Sequence, residues 1–439
     1  MVNNEWFKKV SSQAIKTNLI DPSLYKENEI KCGLRNADGT GVIVGFTKIG
    51  AVHGYKYKDN VKVPIHGRLY YRDLEINDII KTLKGNKFEQ TMYLLIFGSL
   101  PTEEELYEFN RVLAKYRKLP RGFTENMILK NPSSNVMNKL QRSILVLYSN
   151  DKDPELMTID NILKQSIKLI ARFPTIISYG YQAKAHYFDH QSLRIHQPQE
   201  ELGTAENILY MIRDNNQYTA LEAETLDLLL LVHAEHGGGN NSAFATHVVS
   251  SSGTDTYSAI SAAVGALKGP KHGGANKCVQ EMVDYLENTL NDINDEDELK
   301  KCLENMLDRK CFDKTGLIYG MGHAVYTKSD PRAVILKEKA RDLSIEKGQL
   351  EKFKMYENIE KLTKEIFKER KGKTFEICAN VDLYSGFIYE LLNIPNDLYT
   401  PIFATARVAS WCAHRIEQII SDKKIIRPAY LSIKNEIKE

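Results

Sequence analysis

Tryptophan occurs only twice in the 439 residues, and none of the six cysteines forms a Cys-x-x-Cys pair. That spacing, at 32, 278, 302, 311, 378 and 412, argues against a disulfide framework and a cysteine zinc site, and for free thiols in a reducing compartment. Long apolar runs are also missing. The longest, near Leu228 to Val232, falls far short of the ~20 residues that span a bilayer. Neither sign of charge prevails, with 59 Lys and Arg against 57 Asp and Glu. Nothing in that balance announces nucleic acid or an anionic membrane as partner. The first nine residues hold an acid and no apolar stretch, which suits neither a secretory signal nor an arginine-rich transit peptide. The expectation is a soluble cytoplasmic protein.

Helical periodicity is abundant. Thr102 to Glu105 and Thr219 to Glu222 both have the pattern of a capping box, in which the first side chain and the fourth satisfy each other's free backbone N–H groups. The second opens a helix that becomes apolar all round at Leu228 to Val232, as expected at the centre of a large domain. Val279, Met282, Val283 and Leu286 mark another helix at i, i+3, i+4, i+7. Thr400-Pro401 reads as an N-cap followed by proline at the first helical position. Strand signals are few, and Gly41 to Gly45 with Tyr55 to Val63 are the candidates for a small N-terminal sheet. The fold class is mainly α. From Asn294 to Lys373 Lys and Glu interleave along amphipathic helices, which reads as a solvated face and suggests a smaller, more exposed domain. The expected organisation is a large domain built from residues 1–274 and 391–439, with a small domain of 275–390 closing over the cleft between them.

Several residues can carry chemistry. Gly320 to Arg332 presents His323 and Arg332 from one short glycine-bordered loop, a pairing that suits a small dicarboxylate or keto acid. His272, in Gly-Pro-Lys-His-Gly-Gly-Ala-Asn, lies just before a helix start, where the positive dipole end disfavours the imidazolium. His233 and His236, in His-Ala-Glu-His-Gly-Gly-Gly-Asn, invite a zinc-protease reading, but their spacing matches neither the His-Glu-x-x-His nor the His-x-x-Glu-His pattern. Ligand binding by His236 is the better reading. Asp382, taken alone, is a helix-start Asp. Arg407 stands in an apolar helix, where it must be paired or face a charged ligand, whereas Arg427, taken alone, is a surface charge near the chain end. His186, His190 and His196 cluster without a carboxylate or cysteine to complete a metal site.

These segments, in this order, resemble the citrate synthase family. The stretch Phe88 to Thr102 is similar to the family's early helix and turn, so the resemblance covers nearly the whole chain. It implies a two-domain helical fold and the condensation of acetyl-CoA with oxaloacetate, followed by hydrolysis of citryl-CoA to citrate and CoA. Position by position, it makes His272 the hydrogen-bond partner of the thioester oxygen, Asp382 the base that removes a methyl proton, and His323 the group that polarises the ketone. His236, Arg332 and Arg407 become oxaloacetate ligands, and Arg427 an oxaloacetate ligand supplied across a homodimer interface. Backbone of Leu317, Ile318, Tyr319, Gly320, Met321 and Gly322 becomes the adenine-contacting part of the CoA site. Acetyl-CoA is a cosubstrate, and neither a permanently bound cofactor nor a metal is required. The chain departs from common family patterns at Gly237, at Phe244 and in Tyr71-Arg72-Asp73-Leu74, while all seven chemical positions are present. A 2-methylcitrate synthase using propionyl-CoA shares the same catalytic set, since one methylene is worth only about 1–3 kcal/mol of discrimination. The alternative of another class is a catalytically silent dimer that binds CoA or a dicarboxylate.

Overall fold

The central helix predicted from the leucine run is Ala220–His233, in which Leu229, Leu230, Leu231 and Val232 are wholly removed from solvent. Its Thr219–Glu222 capping box is present, with the Thr219 N–H donating to Glu222 Oε2 at 2.8 Å. So is the Thr102–Glu105 box, opening the helix Glu103–Arg117. The computed structural model describes residues 4–36, 38–59, 61–421 and 424–433, and the chain separates into two units, 1–46 and 47–439. Among the described residues no helix is long and apolar enough to cross a membrane.

The first unit holds the helices Asn4–Asn18 and Pro22–Glu27 and a tight turn at Cys32–Leu34. The strand expected at Gly41 to Gly45 is not formed. Gly41 makes only an isolated bridge to Arg35, and Ile43 and Val44 are exposed, because no neighbouring strand pairs with that segment.

The second unit is helical apart from one small antiparallel sheet. Strands β1 (Gly50–Lys58) and β2 (Val61–Tyr71) form a hairpin, with β3 (Leu74–Glu75) on its far edge. The segment Tyr55 to Val63 therefore straddles the hairpin turn instead of forming one strand, and a register shift falls between His53 and Tyr55. Tyr399–Ser421 is a second largely buried helix, packed on the central one. It begins one residue before Thr400, after a turn at Asn396–Leu398, so Thr400 is not its N-cap. The Thr400 hydroxyl instead donates to the Gly273 carbonyl at 3.1 Å. The five helices Ala275–Thr289, Glu296–Leu307, Pro331–Glu346, Leu350–Lys371 and Val381–Leu391 pack on one another and carry most of the chain's Lys–Glu pairs.

The hairpin approaches the His323 loop at backbone distance. A Cβ placed on Gly67 would lie 2.3 Å from the Ser329 carbonyl and 2.5 Å from the Tyr326 ring, and the Gly67 N–H donates to that carbonyl at 3.1 Å. We expect Gly67→Ala to push the hairpin off this loop and cost about 1–3 kcal/mol in urea unfolding. Gly45→Ala, where nothing lies within 4 Å of the added atom, serves as the neutral control. Equal stabilities for the two variants would contradict the close-approach account.

Candidate active site

The site grows from the C-terminal end of the central helix. Its last carbonyls have no partners within the helix. The Tyr71 hydroxyl donates to Leu231 O at 2.8 Å and Val232 O at 3.2 Å, and Arg407 Nε donates to His233 O at 2.8 Å. A guanidinium thus sits at the negative end of a helix dipole, where its charge is favoured. Arg407 is 1% exposed, yet Nη1 and Nη2 have no hydrogen-bond partner, and the Phe403 ring lies 4.9 Å from Cζ. Burial pulls its pKa down to about 10, so it stays cationic. Two buried, unmatched N–H faces on a cation form a receptor for a carboxylate.

Arg332 is the second buried cation. It lies in the first turn of Pro331–Glu346 and is gripped by the N-cap residue Asp330 through Nε–Oδ1 at 3.0 Å and Nη2–Oδ2 at 2.7 Å. That bidentate clamp fixes the fork and, against the cost of burial, holds its pKa above the usual arginine range.

His323 stands beside both. Its Nδ1 accepts the N–H groups of Val325 at 3.0 Å and Tyr326 at 3.1 Å, so the proton of the neutral ring is on Nε2. The ring stacks on Tyr326 at 4.6 Å between centroids and meets His236 edge-on at 5.0 Å. Burial, then the Arg332 charge, lowers the His323 pKa to about 4. His236 is pushed well below its usual value by burial and by the charges of Arg332, His323, Arg407 and His272, and its Nε2 is buried without a partner.

His272 lies in the turn that precedes Ala275–Thr289, as its glycine-rich frame predicts. Its Nε2 is 3.0 Å from Ser242 Oγ, which donates to Asn240 Oδ1 at 2.9 Å and accepts from Trp411 Nε1 at 3.1 Å. Burial, then Arg407, lowers its pKa to about 4.

Asp382 occupies the first turn of Val381–Leu391, and its Oδ1 is buried without a partner. Burial raises its pKa to about 6, against the pull of Arg332 and Arg407. The residue before this helix ties the parts together. Asn380 donates its backbone N–H to Gly320 O at 2.8 Å and Nδ2 to Gly322 O at 2.9 Å, while its Oδ1 accepts the Asp382 N–H at 3.0 Å. Gly320 has φ +81°, and a Cβ there would meet Leu383 at 2.9 Å, so only glycine lets the loop pass this close to the helix.

His236, His272, His323, Asp382, Arg332 and Arg407 therefore share one electrostatic neighbourhood. Arg427 does not join them in this chain. It is exposed in the segment after the last helix, where the neighbouring Ile426 N–H donates to Ser251 Oγ at 3.0 Å. Of the loop residues 317–322, Leu317 is 54% exposed and Ile318 is buried. His186 turns its Nδ1 to Gln191 O, and His190 caps its helix in a left-handed conformation, neither acting as a ligand set. Asp330 lies inside the Gly320 to Arg332 loop and Ser242 and Asn380 stand two residues from Asn240 and Asp382, but none was singled out, and Tyr71, Tyr326 and Trp411 carry no sequence signal of their role.

One buried carboxyl group, three imidazoles held neutral and two buried arginines suit proton abstraction beside a dianion. A family model described as citrate synthase, C-terminal domain, matches residues 36–429. The chain belongs to the citrate synthase family. It is 35% identical to a citrate synthase of Synechocystis over 84% of this chain and 85% of that protein. It is 31% identical to 2-methylcitrate synthase 1 of Corynebacterium glutamicum over 94% of this chain and 97% of that one. Among solved structures, it superimposes with a TM-score of 0.77 and 26% identity on the citrate synthase of Thermoplasma acidophilum in ternary complex with carboxymethyl coenzyme A and oxaloacetate, covering 93% and 97% of the two chains. The mainly α, two-domain citrate synthase fold expected from the motifs is thereby established.

Asp382 also leaves a thermodynamic signature. With a folded pKa near 6, above the 3.8 of the free group, its contribution to stability is full below about pH 4 and is lost as pH rises through about 6. Asp382→Asn, which mimics the neutral acid, should match the wild type near pH 4 and exceed it by about 2–3 kcal/mol near pH 8. Denaturant unfolding at the two pH values checks this, and a pH-independent difference would contradict the burial of the carboxylate.

Proposed function

We propose that this protein condenses acetyl-CoA with oxaloacetate and hydrolyses the resulting citryl-CoA to citrate and CoA. The observation that supports it best is Arg407, a buried cation with two unmatched donor groups, set beside Arg332, His236, His323 and a carboxylate raised to about 6.

Arg332 and Arg407, with His236, bind the two carboxylates of oxaloacetate. The guanidinium forks match carboxylate geometry and lower the cost of placing a dianion near Asp382. Asp382 takes a proton from the acyl methyl group. A thioester methyl is a far weaker acid than any carboxylic acid, so charge forming on the thioester oxygen must be stabilised as the proton leaves. His272 supplies the hydrogen bond to that oxygen. The enol carbon attacks the oxaloacetate ketone, and the Nε2–H of His323, fixed by the backbone donors at Nδ1, stabilises the developing alkoxide. Both imidazoles are neutral at working pH, so each acts as a donor without carrying net charge. Water then attacks the thioester carbonyl and the CoA thiol leaves.

The Leu317 to Gly322 loop holds the adenine end of CoA through its backbone, next to the Asp382 helix to which Asn380 clips it. The segment 275–390 acts as a small domain whose closure excludes water that would protonate the enol or cleave acyl-CoA early. Arg427 reaches oxaloacetate in the partner subunit of a homodimer, in keeping with its exposure and its separation from the cluster in its own chain. The reaction is placed in the cytoplasm. The scheme requires no metal.

A second reading uses propionyl-CoA, favoured by the similarity to a 2-methylcitrate synthase across 94% of the chain. Thiol release from acetyl-CoA and from propionyl-CoA, each with oxaloacetate, separates the two. A preference for acetyl-CoA is expected, with Asp382→Asn slowing turnover by orders of magnitude while oxaloacetate still binds. Preference for propionyl-CoA moves the assignment to 2-methylcitrate formation, and near-normal turnover in the variant removes Asp382 as the base.

A further inference from the structure

Behind the oxaloacetate cluster lies a buried polar group that the scheme above does not use. We propose that His247, His414 and Glu417 form a binding site for one divalent first-row transition metal ion, best matched by zinc(II).

The argument begins with hydrogen positions. His414 Nε2 lies 3.1 Å from Glu235 Oε2, both side chains fully buried, and a carboxylate can only accept, so Nε2 carries a proton. His247 Nδ1 lies 2.9 Å from the Gln418 amide oxygen, so this nitrogen too carries the proton. The remaining nitrogens, His247 Nε2 and His414 Nδ1, then face each other at 3.1 Å. Two lone pairs cannot meet at that distance without a Lewis acid between them. The occupant is either a proton or a metal ion.

A third donor points to the metal. Glu417 Oε2 is buried without a hydrogen-bond partner, 3.8 Å from His414 Nδ1, while its other oxygen accepts the Lys48 N–H at 2.6 Å. One proton cannot serve all three atoms, whereas an ion can. The three donors lie within 4.8 Å of one another, and bonds of about 2.0–2.2 Å to zinc require only a modest contraction. Two histidines and a glutamate with one open position is a recognised zinc donor set. The outer partners are in place, since Glu235 and Gln418 hold both rings in the tautomer that offers a free nitrogen.

The ion would join the helices Asn241–Ser251 and Tyr399–Ser421 and, through Glu235, steady the turn that carries His236. This role is structural and departs from the expectation of a metal-free protein. The sequence reading tested His233, His236 and His186 to His196 for metal and passed over a set whose two histidines are 167 residues apart. The competing occupant is a proton held between the two facing nitrogens. Metal binding must displace it.

The test titrates the full chain, freed of metal by chelator and desalted, with zinc(II) by calorimetry and with cobalt(II) by visible absorption. Expected are one equivalent per chain, proton release near neutral pH, and the intense bands of four-coordinate cobalt. His247→Gln and Glu417→Gln should each weaken binding at least about 100-fold at unchanged helical circular dichroism. His186→Gln with His190→Gln should leave it intact. Should one of the site variants misfold, the wild-type stoichiometry and cobalt spectrum still decide. No saturable equivalent, an octahedral cobalt spectrum with oxygen ligands only, wild-type binding in folded site variants, or loss of binding in the His186/His190 double variant would overturn the site.

Discussion

The buried guanidinium of Arg407 is the constraint around which the rest of the site is arranged. Its neighbours in the helix, from Ala404 to Ser410, are apolar or small, and the surrounding chain provides one acceptor for it, the His233 carbonyl. Such a group is expensive unless its remaining donors are met. The central helix lowers that cost by ending there, so that its dipole and its free carbonyls face the cation. Tyr71 takes the two preceding carbonyls, which leaves His233 O to Arg407. What stays unmatched is a demand for an anion, and His236, His272 and Asp382 stand within reach of that charge.

Positioning on the other side of the site depends on close backbone approach. The β1–β2 hairpin, the His323 loop and the start of Val381–Leu391 are stacked at distances that exclude side chains at Gly67 and Gly320. Asn380 makes three hydrogen bonds, two to the glycines bordering Met321 and one to the Asp382 N–H, that hold the loop against the start of the Asp382 helix. The His323 imidazole and the proposed base are thus held in one rigid frame, though they lie 59 positions apart in sequence. The His323 tautomer follows from two backbone N–H groups in its own loop, so the donor faces the cluster without help from a distant side chain.

Much of this was legible because the relevant residues travel in short motifs. His323 and Arg332 lie on one loop, His272 stands at a helix start, and the capping boxes at Thr102 and Thr219 formed as their spacing predicts. The seven-position set was readable through family resemblance, and six of those side chains converge within a single chain. Other features depend on contacts that no local pattern encodes. Trp411 steadies Ser242 from 169 residues away, and Glu235 meets His414 across 179. The apolar run at Gly41 to Gly45 looks like a strand, but a strand needs a neighbour, and among the described residues Gly41 makes only an isolated bridge to Arg35. Apolar residues stand on both sides of the turn between β1 and β2, which blurred one hairpin into a single segment.

The most direct test of the central claim measures Arg407→Met for both stability and ligand response. A methionine of similar length should leave unfolding free energy within about 1 kcal/mol of wild type, well short of the ~3–5 kcal/mol lost when a satisfied buried pair is broken. The same variant should lose the rise in Tm that oxaloacetate gives the wild type. A strongly destabilised variant that still responds to oxaloacetate would show Arg407 to be a structural ion and contradict the account.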